Sequence, residues 1–209
     1  MDPPPEDDGK RKRQYWSQED RETLLEYVTK RVDMALERTI RADVETAFRD
    51  RAIVAMLDGT GARGAELFAD SKDDKRNGLR WEDVDFDERL IEVYGKSREY
   101  EQAPFPASVH DVLERLHREH EVPPPSISKG GVRRLLKRLT DEAGIDPASE
   151  YDYLTLHGAR RALRRDLYTS GMSEKAQEAL RHNSIETTHE AYTDVKMTDV
   201  SDSIDDVRG

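Results

Sequence analysis

The chain has no cysteine among its 209 residues, so disulfides and cysteine-rich zinc sites are excluded. It also lacks any run of 18 apolar residues and any signal-peptide core, which predicts a soluble, cytoplasmic protein with no membrane partner. Hydrophobic residues are scarce at 35%, while 38% are charged, so the surface must be densely ionised around one sizeable core. No internal repeat is present.

The formal charge of −11 argues at first against a nucleic-acid partner, because affinity for DNA comes largely from Lys and Arg neutralising phosphates. The cations are unevenly spread, however. Arginine outnumbers lysine 24 to 10, Lys129 to Arg138 holds five cations and no acid, and Arg160 to Asp166 sets four arginines against one aspartate. An acidic shell around basic patches fits ordinary solubility, or adaptation to a very salty cytoplasm where the Debye length is about 3 Å at 1 M. The second is favoured, since this composition resembles that of haloarchaeal proteins.

Residues 1–14 are Pro-rich, then acidic, then basic, and are expected to form a disordered tail. Ser17 with Asp20 three residues on resembles a capping box, followed by the helical stripe Leu24, Leu25, Val28, Val32 and Leu36. A second helix is predicted from about Asp43 to Asp58, with Ile53, Met56 and Leu57 inward, broken by Gly59-Thr60-Gly61. A short helix should carry Glu66 and Leu67, and Asp70 to Asn77 reads as a polar surface loop. Three strands are expected at Leu79–Val84, Leu90–Tyr94 and Tyr100–Phe105, placing Lys96 at a hairpin tip. Helices are predicted over about Ala107–His120, around Val132 to Leu139 ending near Gly144, and over about Leu156–Ser170, Ser173–Leu180 and Ser184–Thr193, with a rigid Pro123-Pro124-Pro125 linker between the first two. The fold class is therefore α+β, predominantly helical, with a small three-stranded antiparallel sheet. Residues 196–209 read as an acidic tail with weak helical potential.

Two tempting sites fail on chemistry. Gly95-Lys96-Ser97 looks like the end of a phosphate-binding P-loop, but Leu90 stands where the earlier glycine is needed and a hairpin surrounds it. His110, His117 and His120 share a helix face without a supporting carboxylate or cysteine pattern, and read as solvated. His157 and Arg160, one helical turn apart, can reach a single phosphate. Taken singly, they and Arg63, Lys96 and Tyr192 each have an ordinary structural reading.

Their order changes that reading. Thr60-Gly61-Ala62-Arg63-Gly64-Ala65-Glu66-Leu67, Leu79 to Asp85, Gly95-Lys96-Ser97, His157-Gly158-Ala159-Arg160, Leu180-Arg181-His182-Asn183-Ser184 and Thr187-Thr188 through Tyr192 resemble the successive motifs of the tyrosine recombinases, the phage integrase and Xer family. The likeness spans about residues 17–195 and implies a DNA breaking-rejoining catalytic domain at 15–195. It implies strand exchange without cofactor, metal or nucleotide. Tyr192 would attack the scissile phosphate to leave a 3′-phosphotyrosyl link, and Arg63 and Arg160 would hold the non-bridging oxygens. Lys96 would protonate the leaving 5′-oxygen, His157 would give acid–base support, His182 would bond the phosphate, and Glu66 would orient Arg63.

Lys129, Arg133, Arg134, Lys137, Arg161 and Arg164 are the expected contacts to duplex DNA. A homo-tetramer on DNA is implied as well. Two departures stand out: Arg181 occupies a position where the family usually carries glycine, and Gly158-Ala159 replaces a more typical Asp-Leu. Full-length members also have an amino-terminal core-binding domain, for which the residues before Ala47 are too few, so either the chain is a natural or experimental fragment or a separate subunit or domain supplies that clamp. The alternative function is a catalytically impaired, DNA-binding remnant of an integrase. A helical interaction module without DNA rests only on the net charge.

Overall fold

The computed structural model describes residues 14–40, 43–70, 73, 75–120, 127–147, 151–172, 175, 179–181 and 197–208. The predicted helices over 173–180 and 184–193 lie largely or wholly outside these residues, as does the Pro123–Pro125 linker.

Helix α1 (Gln18–Leu36) begins where Ser17 Oγ accepts the Asp20 amide, and α2 (Val44–Gly59) begins where Asp43 accepts the Thr46 amide. Each cap satisfies one of the orphan donors of a helix start. α1 buries the stripe Leu24, Val28, Val32 and Ala35, whereas α2 is buried from Ala52 to Gly59 on every face, as a central core helix should be. Of its two buried acids, Asp50 and Asp58, the first is held by Arg138 at 2.7 Å, Arg49 at 3.2 Å and Arg31 at 3.9 Å, which ties α1 and α5 to α2.

After α2 comes the short helix α3 (Gly64–Leu67), then a 3₁₀ turn (Trp81–Asp83) and the sheet β1 (Val84–Asp85), β2 (Leu90–Tyr94) and β3 (Tyr100–Pro104). The strands are antiparallel in the order β1-β2-β3, with Val84 opposite Ile91 and Tyr94 opposite Tyr100. The first strand is shorter than expected. Asp83 turns back to accept the Arg80 amide at 2.8 Å, and that local bond closes a helical turn over residues that alternate like a strand.

Helices α4 (Ala107–His120), α5 (Lys129–Glu142) and α6 (Leu156–Thr169) follow the predicted spans closely. Ser128 and Thr155 cap α5 and α6 by accepting the Gly131 and Gly158 amides. A parallel bridge between Ala69 and Ser128 sets the start of α5 beside the end of α3.

Residues 1–13 of the expected amino-terminal tail lie outside the described residues, and the two ends of the described chain are packed against the fold. Gln14 is 4% exposed, because its side chain bonds the Tyr153 carbonyl at 2.7 Å and the Thr155 amide at 2.6 Å. The carboxyl-terminal segment is a helix, α7 (Met197–Arg208), with Val200 and Ile204 fully buried against Leu163, Leu167 and Ala179. Two of its acids are held in contacts: Asp202 and Asp205 pair with Arg89, and Asp205 also caps α4 by accepting the Ala107 amide at 2.5 Å. Among the described residues no helix is long and apolar enough to cross a membrane.

Candidate active site

Three separate stretches of chain meet at Arg160. One nitrogen of its guanidinium donates to the carbonyl of Gly61, two residues before Arg63, and another donates to the carbonyl of Leu180, two residues before His182. Thr60 sets the first of these up. Its hydroxyl closes the end of α2 by donating to the Met56 carbonyl at 2.7 Å and accepts the Ala62 amide at 3.1 Å, so the turn leading to Arg63 is fixed from within. Burial pushes the Arg160 guanidinium down to about 10, and the neighbouring cations Arg63 and Arg181 push in the same direction.

Arg63 is the residue before α3 and remains partly exposed. Glu66 grips it twice: one carboxylate oxygen accepts the Arg63 backbone amide at 2.7 Å, and the other accepts the guanidinium at 2.7 Å. The Glu66 side chain has no exposed area. Burial alone would raise its pKa, but Arg181 and Arg63 outweigh burial and hold the carboxyl below the usual range. Glu66 thus contacts both the main chain and the side chain of Arg63.

Arg181 joins the same carboxylate, its Nη2 donating to the Glu66 oxygen that takes the Arg63 amide, while its Nε lies 3.2 Å from Glu101 on β3. Its φ of 47° lies in the left-handed region that glycine occupies without strain. The arginine therefore keeps a glycine-like backbone and adds a buried cation that bridges α3 to the sheet. Gly158 has an equally local cause. A Cβ there would stand 2.8 Å from Gln14 Oε1 and 2.9 Å from Trp16 Cδ1, because the segment Gln14–Trp16 lies across the first turn of α6. Trp16 donates to the Thr155 carbonyl at 2.9 Å and Arg161 to the Gln14 carbonyl at 3.0 Å, so this segment steadies the helix that carries His157 and Arg160.

A cleft of about 290 Å³ is lined by Arg63, His157, Lys129, Arg133, Arg161 and Tyr153, among others. His157 is exposed there, and its pKa is lowered by partial burial and then by Arg161, Lys129, Arg160 and Arg133. A neutral imidazole in a cationic cleft can accept a proton and does not compete with the arginines for an anion. Of the six basic residues expected at DNA, Lys129, Arg133 and Arg161 line this cleft. Lys137 instead pairs with Asp152 at 3.4 Å and sits 5.0 Å from the Tyr153 ring centroid. Arg164 lies over the Tyr168 ring, and Arg134 is exposed on α5.

Lys96 is exposed at the tip of the β2–β3 hairpin, as expected. The turn approaches closely behind it: a Cβ on Gly95 would stand 2.3 Å from a Glu101 carboxylate oxygen. Arg76, placed by its sequence in a polar surface loop, is the site residue that spacing could not reveal. Its guanidinium donates to three carbonyls, Ala65 at 2.7 Å, Tyr94 at 3.0 Å and Gly95 at 3.0 Å. His182 and Tyr192 lie outside the described residues. Among the described residues no group of three or more His, Asp or Glu is placed to hold a metal.

Residues 30–199 match the phage integrase family. The tyrosine recombinase XerC of Corynebacterium glutamicum is 30% identical over 169 residues, covering 77% of this chain and 51% of that protein. XerC of Pediococcus pentosaceus is 25% identical over 195 residues, covering 85% of this chain and 60% of that protein. The chain thus spans about half the length of the curated relatives it matches. Among solved structures, the XerA recombinase superposes with a TM-score of 0.57 at 21% identity, covering 81% of this chain and 56% of that one. The XerH site-specific recombinase bound to its difH substrate, a pre-cleavage complex, gives 0.53 at 16%, covering 84% and 49%. The chain belongs to the phage integrase family, the tyrosine recombinases.

Proposed function

We propose that this chain is the catalytic domain of a site-specific DNA recombinase that breaks and rejoins duplex DNA through a 3′-phosphotyrosyl intermediate. The observation that carries the reading is Arg160 joining the Arg63 turn to the Leu180–Arg181 turn, beside a cleft whose other cations are Lys129, Arg133 and Arg161. The XerH structure, in complex with its DNA substrate, supports the choice of ligand. The basic cleft also reconciles DNA binding with the net charge of −11, since no acid is among the described residues that line it.

In the forward step the Tyr192 oxygen bonds to phosphorus as the bond from phosphorus to the 5′-oxygen breaks. His157, whose pKa is lowered by partial burial and then by the surrounding cations, takes the phenolic proton. Lys96 gives a proton to the departing 5′-oxygen, which leaves as a hydroxyl. Arg63 and Arg160 hold the non-bridging oxygens, where their planar forks match phosphate and offset the charge that builds in the transition state. His182 adds a hydrogen bond to the phosphate. Rejoining is the reverse, with a 5′-hydroxyl from the partner strand attacking the phosphotyrosyl ester. That ester keeps the bond energy, so no nucleotide is consumed. The reaction is assigned to the cytoplasm, in a homo-tetramer that pairs two duplexes, with the core-binding function supplied by a further domain or subunit.

The test is a nicked suicide duplex carrying repeats from beside the gene. A covalent protein–DNA adduct is expected with the wild-type chain and none with Tyr192→Phe. Tight duplex binding without adduct, from folded protein on every such site, would overturn the catalytic reading.

A further inference from the structure

Between α3 and the 3₁₀ turn, the described residues Asp70, Asp73, Lys75 and Arg76 are tied to one another. Asp70 donates its amide to the Arg76 carbonyl at 2.8 Å, and the Arg76 amide donates to the Asp73 carbonyl at 2.9 Å. Asp73 also takes the Lys75 amide at 3.1 Å and Arg76 Nε at 3.0 Å. These bonds present one guanidinium, largely out of solvent, with its orientation fixed at Nε.

The remaining nitrogens of that guanidinium reach two different elements. Nη1 donates to Ala65 inside α3 and to Tyr94 at the end of β2, and Nη2 donates to Gly95, the residue immediately before Lys96. The flat face of the group lies over the Tyr94 ring, 5.5 Å from its centroid. Gly95 is itself the hinge of the turn, donating its amide to the Glu99 carbonyl at 2.9 Å and accepting the Arg98 amide at 3.3 Å. One side chain therefore fixes the backbone next to Lys96 to the second residue of the helix that follows Arg63.

From this bridge we infer that Arg76 is a positioning residue: it sets where the Lys96 ammonium stands relative to the phosphate held by Arg63. The inference rests on the proposed role of Lys96 as the proton donor to the 5′-oxygen. A planar fork with several donors is required, because a lysine is a point charge and cannot span three carbonyls at once. Displacement of a reacting group by about 1 Å can cost about 10²-fold in rate. Loss of Arg76 is expected to slow cleavage by about that factor while duplex affinity stays unchanged.

The experiment uses suicide duplexes in which the 5′-bridging oxygen of the scissile phosphate is either oxygen or sulfur. A thiolate leaves without being protonated, so the sulfur duplex removes the need for the proton donor but for nothing else. Lys96→Ala and Arg76→Ala are both expected to be slow on the oxygen duplex and to match wild type on the sulfur duplex. Arg76→Lys should resemble Arg76→Ala, and serves in its place should the alanine variant not fold. If Lys96→Ala recovers on sulfur but the Arg76 variants do not, the positioning role is overturned and the Lys96 role stands. Wild-type rates for the Arg76 variants on oxygen overturn it as well. If Lys96→Ala fails to recover on sulfur, the Lys96 role is wrong and the inference falls with it.

Discussion

Arg181 and Glu66 form an ion pair in which neither side chain has more than 5% of its area exposed, and the carboxylate is shared with Arg63. Breaking a buried pair from one side leaves the other charge uncompensated, which costs about 3–5 kcal/mol. Arg181→Gly recovers the roughly 1–2 kcal/mol of left-handed backbone strain that an L-residue carries. It should still destabilise the fold by about 2 kcal/mol net, read from the midpoint of urea unfolding. Glu66→Ala, which strands Arg63 and Arg181 together, should be the more damaging of the two.

The pH profile of cleavage should report on His157. Its pKa is lowered, so the neutral base persists below the ordinary value of 6.5 and the acid limb of kcat/KM is expected under that pH. Removing a neighbouring cation favours protonation. Arg161→Ala and Lys129→Ala should therefore move the limb upward, toward 6.5, as measured by single-turnover cleavage across pH.

Salt dependence should separate the cations that face DNA from those already engaged. Each phosphate contact contributes about −0.9 to the slope of log K against log salt. Lys129→Ala and Arg133→Ala, in the cleft, are each expected to flatten that slope by about 1. Lys137→Ala should change it little, since this lysine pairs with Asp152 and lies near the Tyr153 ring. Fluorescence titration of a labelled duplex at several potassium concentrations measures all three.

Where α7 ends, the Arg208 side chain is 1% exposed and lies 3.4 Å from Asp58, with Asp166 as a second partner. Burial pushes the Asp58 carboxyl up from 3.8 to about 6 against the pull of Arg208 and Arg21. The folded state thus holds this proton more tightly than the unfolded chain, and the group's contribution to stability falls as pH rises from about 4 to about 6. Arg208→Ala removes the counter-charge, so its cost should be small at pH 5 and reach about 3 kcal/mol at pH 8. Thermal melts at the two pH values test this.

Much of the frame was legible because it is local. The cap residues Ser17 and Asp43, the apolar stripes of α1, α4 and α5, and the hairpin beneath Lys96 each depend on residues a few positions apart. What escaped notice depends on distant partners. The spacing of Val200, Ile204 and Val207 is helical, but the surrounding aspartates read as solvated until Arg89 and the start of α4 are brought to them. Gln14 looked like the end of a tail because its partners, Tyr153 and Thr155, lie some 140 positions away. Arg76 sits among seven polar neighbours, and only the folded chain shows which carbonyls it reaches. Within the site, Arg63, Glu66, His157 and Arg160 were found from motif order, whereas the structural use of Arg181 required knowing that Glu101 stands beside it.

Arg160 donates to two main-chain carbonyls and to no carboxylate at those positions. A carbonyl satisfies the hydrogen-bonding demand of a guanidinium without cancelling its charge. The clamp between the Gly61 and Leu180 turns therefore grips main chain; the side-chain positions are fixed for other reasons, Gly61 by its φ of 59° and by Leu163 and Leu180 close at hand, and Leu180 by its burial. The two carbonyls hold Arg160 without pairing it, and the nearby acid, Glu66, is already engaged with Arg63 and Arg181, so an arriving anion finds a guanidinium already aimed.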